Sequence, residues 1–352
     1  MEAKETVWIS GGAGLGKSLP IWQVASKLID AKKIPVVVEG YLYSGSLAQR
    51  IAAILKSAGA PVSTAVVEEL METFVILFDG FSEVRLESRD GARDELSPHV
   101  GNTPIIVTSR QNPPPGPLLT KSRRIRLLAV GEDSLSAFLL KYLKGSETKA
   151  ATLRAALAKQ PRISMSEWTP LMLAMIAETY QKTGEVPASR SDIYGRFFDF
   201  LVREDAIGGI SPAAVKYALE QLAGKTFLER GERGYGENEV LTVFAELRDE
   251  LKARYDADVA ASRLLAVIEG AGIFLRRARY LTFFHDSFES YVAARYLEDC
   301  FMQHSTVEIR YVAGRRHDTP AFAEAWQFLI DLVTEWGDTG KLRDLEETSQ
   351  TG

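Results

Sequence analysis

The residues with the clearest chemistry form a glycine-rich stretch near the amino terminus. The run Gly11-Gly12-Ala13-Gly14-Leu15-Gly16-Lys17-Ser18 fits the pattern G-x-x-x-x-G-K-[ST], and it stands between a strand-like run and a helical pattern. Glycines at this spacing let backbone N–H groups curl around phosphate oxygens, and the N-terminus of the following helix adds partial positive charge. Lys17 would neutralise the terminal phosphates, and the hydroxyl of Ser18 would bind Mg²⁺. The pattern therefore predicts a nucleotide site rather than a flexible glycine turn.

An acidic residue ends a second informative run. The segment Phe74-Val-Ile-Leu-Phe-Asp79 is apolar up to its last residue, as expected of a strand inside a parallel sheet. Asp79 could hold Mg²⁺, usually through water, and Glu83 could orient or deprotonate the water that attacks a phosphate. The alternative for Asp79 is an ordinary Asp-Gly turn. For Glu83 the two interpretations are evenly balanced, because its direction depends on a loop.

A third apolar run, Pro104-Ile-Ile-Val-Thr-Ser-Arg110, also ends in polar residues. Polar residues at the carboxyl ends of α/β strands face the crevice in which ligands bind. Arg110 is therefore predicted to sense the γ-phosphate. The alternative is an exposed arginine at the end of a strand.

A sheet must position these residues, and the first 130 residues alternate β-branched runs with helical patterns. Five runs are predicted to be strands: Thr6–Ser10, Ile34–Glu39, Phe74–Asp79, Pro104–Ser109 and Arg124–Leu128. Apolar residues at helical spacing predict helices over Ser18–Asp30 and around Leu47–Leu55. The predicted fold class is α/β, with a doubly wound, parallel five-stranded sheet.

After Val130 the pattern becomes mostly helical. Helices are predicted around Leu135–Tyr142 and over Thr148–Lys159, Pro170–Tyr180, Asp192–Arg203, Pro212–Gly224, Glu237–Lys252 and Ala260–Gly270. A strand pair (Ile273–Arg277 and Arg279–Phe284) and a helix from Ser287 to Phe301 suggest a winged-helix module, and one clear helix, Ala321–Trp336, precedes a polar end. We therefore predict a nucleotide-binding domain over 1–130, a helical domain over 131–188, a winged-helix domain over 189–301 and a helical tail over 302–352.

Composition excludes several classes of protein. The 352 residues include 42 Lys and Arg against 47 Asp and Glu, a net charge of −5, so binding to nucleic acid is not indicated. The single cysteine, Cys300, excludes an intrachain disulfide and is typical of a reducing compartment. No apolar run approaches the roughly 20 residues that span a bilayer. These features predict a soluble cytoplasmic protein without a membrane partner.

These blocks together resemble the NACHT-type signal-transduction ATPases with numerous domains (STAND), over about residues 6–300. The glycine-rich loop, Asp79-Gly-Phe-Ser-Glu83 and Thr108-Ser-Arg110 are similar to the family's Walker A, Walker B and sensor 1 elements. Trp168-Thr-Pro170-Leu-Met-Leu173 is similar to the P-L-x-L element of its helical domain. The run from Phe283 to Leu297 is similar to the winged-helix pattern F-x-H-x-x-F-x-E-x-x-A-A-x-x-L.

The resemblance implies roles for two residues outside the glycine-rich loop. In the family the proline that matches Pro170 packs against adenine, and the histidine that matches His285 contacts the β-phosphate of ADP and clamps a closed state. From the residues alone, Pro170 is also explained as the first residue of a helix after an N-cap at Thr169. His285 could equally be a histidine at a helix start, with Asp286 and Glu289 as a capping box.

The resemblance further implies an ATP/ADP switch with Mg²⁺ and slow ATP hydrolysis, monomeric with ADP and self-associating with ATP, in signalling such as bacterial antiviral defence. Effector and sensor parts are expected outside this chain. Ser82 stands where the family has a second Walker B aspartate. That difference favours a second hypothesis, a scaffold that binds nucleotide without hydrolysing it. A third, an AAA+-like ATPase that acts on nucleic acid, is disfavoured by the acidic net charge.

Overall fold

Two compact units make up the part of the chain that the structure, a computed structural model, describes. The described residues are 4–43, 45–84, 86–110, 112–160, 168–203, 205, 207–228, 234–277, 280–304, 307–315 and 320–350. The first unit runs up to Ala129 and also contains Thr169–Leu171, and the second contains Val130–Trp168 and continues from Met172. The finer division of the second unit into helical, winged-helix and tail domains stays a prediction.

The first unit is built on a parallel sheet of five strands in the order β2-β3-β4-β1-β5. The strands are β1 (Thr6–Ser10), β2 (Ile34–Glu39), β3 (Phe74–Asp79), β4 (Ile105–Ser109) and β5 (Ser122–Arg126). Its helices are α1 (Ser18–Asp30), α2 (Leu47–Ser57), α3 (Thr64–Glu69), α4 (Leu86–Leu96) and α5 (Pro117–Thr120). The predicted doubly wound α/β sheet is confirmed.

Both faces of this sheet are covered by apolar side chains, because successive strand residues point to opposite faces. On one face Val7 and Leu77 pack with Ile21 of α1. On the other face Trp8 and Phe78 join apolar residues from α2, α3 and α4. Strands buried on both faces read as continuous apolar runs, and β1 and β3 begin and end where the sequence predicted. The bounds of β2 were also predicted, although β2 lies at an edge of the sheet and its half-buried or exposed residues alternate with buried ones.

The fifth strand was predicted two residues too late. The apolar residues of 124–128 indicated Arg124–Leu128, but β5 pairs with β1 from Ser122 opposite Thr6 to Arg126 opposite Ser10. This strand lies at the edge of the sheet and most of its side chains are exposed, so its sequence carries little of the burial signal that located the inner strands. The short helices α3 and α5, and the strongly polar α4, were not predicted for the same reason.

The second unit is mainly helical. Its helices are α6 (Glu132–Tyr142), α7 (Glu147–Leu157), α8 (Pro170–Thr183, whose first residues belong to the first unit), α9 (Arg190–Leu201), α10 (Pro212–Leu222), α11 (Glu237–Glu246), α12 (Arg248–Tyr255), α13 (Ala261–Gly270), α14 (Asp286–Met302), α15 (Val307–Arg315), α16 (Pro320–Glu335) and α17 (Thr339–Gln350). A π-helical segment, Ala223–Leu228, follows α10. The single helix predicted over Glu237–Lys252 is wrong, because the chain breaks between α11 and α12 at Leu247.

A small antiparallel sheet accompanies these helices. Its strands are β6 (Tyr235–Gly236), β7 (Phe274–Arg277) and β8 (Tyr280–Phe283), in the order β6-β8-β7. The predicted hairpin followed by a long helix, α14, is confirmed. The rings of Phe274 and Phe283 meet edge to face at 4.9 Å, and Phe283 lies 6.0 Å from Phe288 of α14, so an aromatic cluster fixes the hairpin to the helix.

The predicted tail is also wrong in part. One helix was expected after residue 302, but the structure has three, α15, α16 and α17. The middle one buries Phe322, Phe328 and Leu329 completely and packs on α14. α14 and α16 therefore share part of their apolar core. Among the described residues, no helix is long and apolar enough to cross a membrane.

Candidate nucleotide site

The glycine-rich loop of residues 11–18 connects β1 to α1, as predicted. Gly14 and Gly16 have φ angles of 74° and 79°, a backbone region that glycine occupies far more readily than other residues. Lys17 stands just before α1, and Ser18 is the first residue of the helix. The Nζ of Lys17 donates a hydrogen bond to the carbonyl oxygen of Gly12 at 2.6 Å. The loop thus bends back on its own lysine at the amino end of a helix, the arrangement that binds phosphates.

The helix after the loop accommodates Pro20, the least expected residue in it. Because α1 begins at Ser18, Pro20 is its third residue. The first four N–H groups of an α-helix have no partner inside the helix, so the missing N–H of proline removes no hydrogen bond there. Proline at this position is therefore compatible with the helix.

Two chain segments lie directly against the loop within the first unit. A Cβ added at Gly11 would lie 3.1 Å from the Cβ of Leu127, which follows β5. A Cβ added at Gly14 would lie 2.8 Å from Oγ1 of Thr169, and the N–H of Leu171 donates to the carbonyl oxygen of Gly14 at 3.4 Å. Pro170, the predicted adenine contact, is therefore beside the phosphate loop and is also the first residue of α8.

The predicted magnesium ligand lies at the end of β3, and a threonine of β4 holds it. The hydroxyl of Thr108 donates to Oδ1 of Asp79 at 2.5 Å and accepts the N–H of Gly80 at 2.8 Å. Thr108 is fully buried, whereas Asp79 is half-buried. One hydroxyl thus fixes the carboxylate and the backbone that follows it, and it leaves the other carboxylate oxygen free of that bond.

The turn after Asp79 depends on two glycines. Gly80 has φ 79° and ψ 50°, and a Cβ there would lie 2.6 Å from Oε2 of Glu83. A Cβ at Gly40, just after β2, would overlap the carbonyl oxygen of Gly80. The backbones at the ends of β2 and β3 are therefore pressed together, and the carboxylate of Glu83 folds back over Gly80. Glu83 therefore lies against the turn that follows Asp79, and its role towards water stays a prediction.

Ser82 has a definite structural role. Its Oγ accepts the backbone N–H of Arg110 at 3.1 Å, which ties the turn after β3 to the end of β4. Arg89 of α4 donates to the carbonyl oxygens of Ser82 at 2.9 Å and of Val84 at 3.1 Å, and burial lowers the pKa of its guanidinium. Arg110 itself contributes its backbone to this tie, and its half-buried side chain is at the carboxyl edge of the sheet.

The metal chemistry available here suits Mg²⁺ bound together with phosphates. Mg²⁺ keeps several waters and takes one or two carboxylates or hydroxyls plus phosphate oxygens. Ser18 and Asp79 are donors of that kind. In the described part of the chain, no group of three or more His, Cys, Asp or Glu side chains could hold a metal ion. A tightly chelating site such as a structural zinc centre is therefore not found among those residues.

His285 lies in the second unit, where it caps α14. Its Nδ1 accepts the backbone N–H of Ser287 at 3.0 Å, so the imidazole itself is the N-cap. The alternative capping box is wrong, because Asp286 is already inside the helix. The buried Glu289 instead accepts a hydrogen bond from the hydroxyl of Tyr235 at 2.5 Å.

Sequence reasoning missed the residue with the most direct contact to Asp79. Thr108 was noted as part of a motif, but Arg110 was chosen as the functional residue of that strand. The available signal was the position of Thr108 on a strand adjacent to β3 and one residue before the strand ends. A β-branched residue there reads as core, so its hydroxyl was not expected to bind a carboxylate.

Comparison with known proteins gives likenesses of fold only. Neither a protein-family model nor a curated protein matches the sequence. A STAND protein with a tetratricopeptide repeat sensor from Pyrococcus horikoshii is similar over 98% of this chain and 48% of its own, with 16% identity and a TM-score of 0.46. The Walker-type ATPase of Pyrococcus abyssi is similar over 82% of this chain and 90% of its own, with 12% identity and a TM-score of 0.37. For Cdc6p from Pyrobaculum aerophilum the corresponding values are 84%, 88%, 13% and 0.35.

The chain thus spans about half the length of the first of these structures. Its own sheet and loop define its class. A parallel sheet of order β2-β3-β4-β1-β5, with the glycine-rich loop after β1 and an aspartate ending β3, gives it the fold of a P-loop NTPase. The P-loop NTPase fold that the sequence predicted is therefore present, and the assignment to NACHT-type STAND ATPases stays a prediction.

Replacing Lys17 tests the phosphate loop. With ATP and Mg²⁺ at 100 times the Kd, a ligand that binds only the native state adds about 2.7 kcal/mol to the free energy of unfolding. We expect Lys17→Ala to remove most of the resulting rise in Tm, measured by thermal unfolding with and without nucleotide. Lys27→Ala, at an exposed position on the same helix, is the control and should keep the full rise. An unchanged response in Lys17→Ala would refute the phosphate loop.

Replacing Thr108 tests the tie between β3 and β4. Thr108→Val keeps a similar shape but leaves the buried N–H of Gly80 without its acceptor, so the free energy of unfolding should fall by about 1–3 kcal/mol. The Mg²⁺ dependence of ATP binding should weaken too, since Asp79 loses the hydroxyl that fixes it. Thr108→Ser keeps the hydroxyl and should lie closer to the wild type in both quantities. Urea unfolding measures the free energy of unfolding, and calorimetry measures the Mg²⁺ dependence of ATP binding. Equal behaviour of the two variants would contradict the role assigned to the hydroxyl.

Proposed function

We propose that the chain is a NACHT-type nucleotide switch that binds ATP or ADP with Mg²⁺ in its first unit. The observation that carries the proposal is the loop of residues 11–18, with two glycines at positive φ and a lysine at the start of a helix. Ser18 and Asp79 are the residues that would hold Mg²⁺, and the bound ion would neutralise charge on the phosphates. Pro170, beside Gly14, is the residue we assign to the adenine ring.

Slow hydrolysis is the reaction that the site supports best. Water attacks the γ-phosphorus, its proton passes to the carboxylate of Glu83, and the bond to the leaving ADP oxygen breaks. Support for Glu83 comes from its position over Gly80, next to Asp79. Lys17 and Arg110 would stabilise the charge that develops on the phosphates. ATP/ADP exchange and hydrolysis would then set which nucleotide the chain carries.

A specific observation keeps a second candidate function in view. Ser82 offers no carboxylate, and its hydroxyl is engaged by the backbone of Arg110. A chain with this turn could retain nucleotide as a structural cofactor, as a scaffold that does not hydrolyse it. The two candidates differ in whether Glu83 acts on water.

Glu83→Gln separates the two candidates. General-base catalysis contributes roughly 10²- to 10⁴-fold, so under the switch hypothesis the release of phosphate from ATP should fall by a factor in that range, while ATP binding stays close to wild type. Glu72→Gln, at an exposed carboxylate paired with Lys4 in the same unit, is the control. Phosphate release that is equally slow in Glu83→Gln, Glu72→Gln and the wild type would favour the scaffold.

The switch itself is assigned to His285. Because Nδ1 accepts a hydrogen bond, the neutral imidazole carries its proton on Nε2, which makes Nε2 a donor suited to a phosphate oxygen. We propose that this donor binds the β-phosphate of ADP in a closed, monomeric state. ATP would favour an open state that self-associates, because a ligand shifts such an equilibrium only through its differential affinity.

Two variants of His285 distinguish a nucleotide contact from a helix cap. His285→Ala removes both functions, so it should lower stability by about 0.5–2 kcal/mol through the lost cap. It should also weaken ADP relative to ATP by roughly 10- to 150-fold, the equivalent of a charged hydrogen bond worth about 1.5–3 kcal/mol. Asparagine is among the best N-caps, so His285→Asn should keep the stability and still lose the preference for ADP.

The measurements are thermal unfolding, ADP and ATP affinities by calorimetry, and light scattering for self-association. A ratio of ADP to ATP affinity that stays at the wild-type value in His285→Asn would leave His285 as a helix cap alone. Signalling, in a setting such as bacterial antiviral defence, is the biological role we propose. A soluble, cytoplasmic location is part of the same proposal.

A further inference from the structure

The open side of β5 is strongly basic. β5 pairs with β1 along one side, and no other strand of the described chain pairs with it. Arg123, Arg124 and Arg126 are exposed along this edge strand. Among the described residues, none of these three side chains has a hydrogen bond or an ion pair. Three unpaired guanidinium groups within four residues therefore concentrate positive charge at one edge of the sheet, in a chain whose net charge is −5.

Apolar side chains are exposed beside these arginines. The register with β1 places Arg123 on the sheet face that packs against α1, and Arg124 on the face that packs against α2, α3 and α4. Ile125, between Arg124 and Arg126, is 37% exposed, and Leu128, just after the strand, is 74% exposed. We call this surface the basic edge, and it consists of Arg123, Arg124, Ile125, Arg126 and Leu128.

A surface of opposite charge lies towards the other edge of the same sheet. α3 packs against α2 and leads into β3, the neighbour of the edge strand β2. Val62, Val66 and Leu70, at intervals of four residues, are each 36–43% exposed. Glu68 and Glu69 are exposed, and no cation of the described chain pairs with either carboxylate. We call these residues together the acidic α3 face.

Each surface on its own has an ordinary explanation. Charged side chains on an edge strand discourage it from pairing with other strands, and single exposed apolar side chains are common. Neither explanation accounts for the match between the two surfaces. The basic edge presents apolar side chains among unpaired guanidinium groups, and the acidic α3 face presents apolar side chains beside unpaired carboxylates. An interface between them would pair opposite charges around a contact between apolar groups.

We propose that the basic edge of one copy of the chain docks on the acidic α3 face of a second copy. Two basic edges repel each other, so a symmetric contact through β5 is disfavoured. The docking surfaces differ and lie towards opposite edges of one sheet, so each copy keeps one surface free for a further copy. Such a heterologous contact closes into a ring or extends as a filament, depending on the rotation between copies. The inference rests on the proposed function only where it concerns control by ATP.

A second copy fits the basic edge better than a nucleic acid does. Phosphates would pair with the arginines but would place charge against Ile125 and Leu128, whereas the acidic α3 face offers apolar partners for both. Surfaces that bind nucleic acid spread positive charge over a face or along a helix, whereas these arginines are confined to one strand. The negative net charge also opposes the approach of a long polyanion.

Charge reversal tests the two surfaces separately. Self-association of the full chain is measured by sedimentation velocity and light scattering at about 0.1 M salt, where charges interact over roughly 10 Å. Arg123→Glu/Arg124→Glu and Glu68→Lys/Glu69→Lys should each weaken self-association by about 10-fold or more, because each variant sets like charges against one another. An equal mixture of the two variants should associate nearly as well as the wild type, since the reversed edge then meets the reversed α3 face.

Controls separate this contact from changes in net charge or in folding. Lys141→Glu/Lys149→Glu changes the net charge as much as the edge variant does, at two exposed lysines of α6 and α7, and should associate like the wild type. Arg123→Gln/Arg124→Gln removes charge without reversing it, so it should give a smaller loss, and it remains informative if the reversed edge does not fold. An equal loss in the lysine control, or a mixture that stays dissociated while each variant keeps the wild-type Tm, would overturn the proposal.

Nucleotide separates this proposal from the proposed function. The measurements are repeated with ATP and Mg²⁺, with ADP and Mg²⁺, and without nucleotide. Association that requires both surfaces in every state would support the docking and refute its control by ATP. Association that follows ATP but survives both reversals would overturn the docking and leave the switch in place. A wild type that stays monomeric in all three states would overturn the docking, and binding of a mixed-sequence DNA duplex that is lost in Arg123→Glu/Arg124→Glu would then assign the edge to nucleic acid.

Discussion

The candidate site depends on one hydroxyl that joins the ends of two neighbouring strands. Thr108 donates to Asp79 and accepts from Gly80, so the carboxylate and the turn behind it have a single fixed geometry. In a buried environment an unpaired N–H at this turn would be costly, which means the turn and the threonine stabilise each other. The other contacts at the carboxyl edge of the sheet lie around this link between β3 and β4. Ser82 adds a second link between the same strand ends, because its Oγ accepts the backbone N–H of Arg110.

The close approach of the strand ends also explains why glycine occupies positions 40 and 80. Parallel strands bring their carboxyl ends to one edge, so the phosphate loop after β1, Asp79 and Thr108 meet there without any long-range pairing of loops. Close approach of backbones at that edge leaves no room for a Cβ at Gly40, and the turn after Asp79 needs the positive φ of Gly80. Glycine loses more backbone conformational freedom on folding than any other residue, so each of these two glycines lowers the stability of the folded state. This loss is confined to the two turns, and in return the backbone at the carboxyl edge of the sheet is ordered.

The sequence predicts best those elements whose burial appears as a pattern of apolar residues. The ends of β1 and β3 were predicted to the residue, because strands buried on both faces are apolar throughout. The ends of the edge strand β2 were predicted too, because its sequence is apolar although only part of it is buried. The edge strand β5 was misplaced, since its exposed side chains carry no such signal. The loop was predicted from residue types alone. Thr108 was missed because the sequence of an apolar strand does not show which group a hydroxyl in it binds. The cap by His285 was missed because histidine is an uncommon N-cap residue.

In the switch that we propose, the packing of the second unit matters as well as the single contact of His285. A nucleotide can bias two states only if it binds them differently, so in the switch that we propose the direction of the Nε2 donor of His285 would matter as much as its strength. That direction is set at the first turn of α14, and α14 packs along α16, where Phe328 contacts both Tyr194 and Tyr291. Packed interiors respond to displacement by changing arrangement rather than by yielding gradually. Because α14 and α16 share this aromatic cluster, a displacement of α16 would disturb the helix that His285 caps.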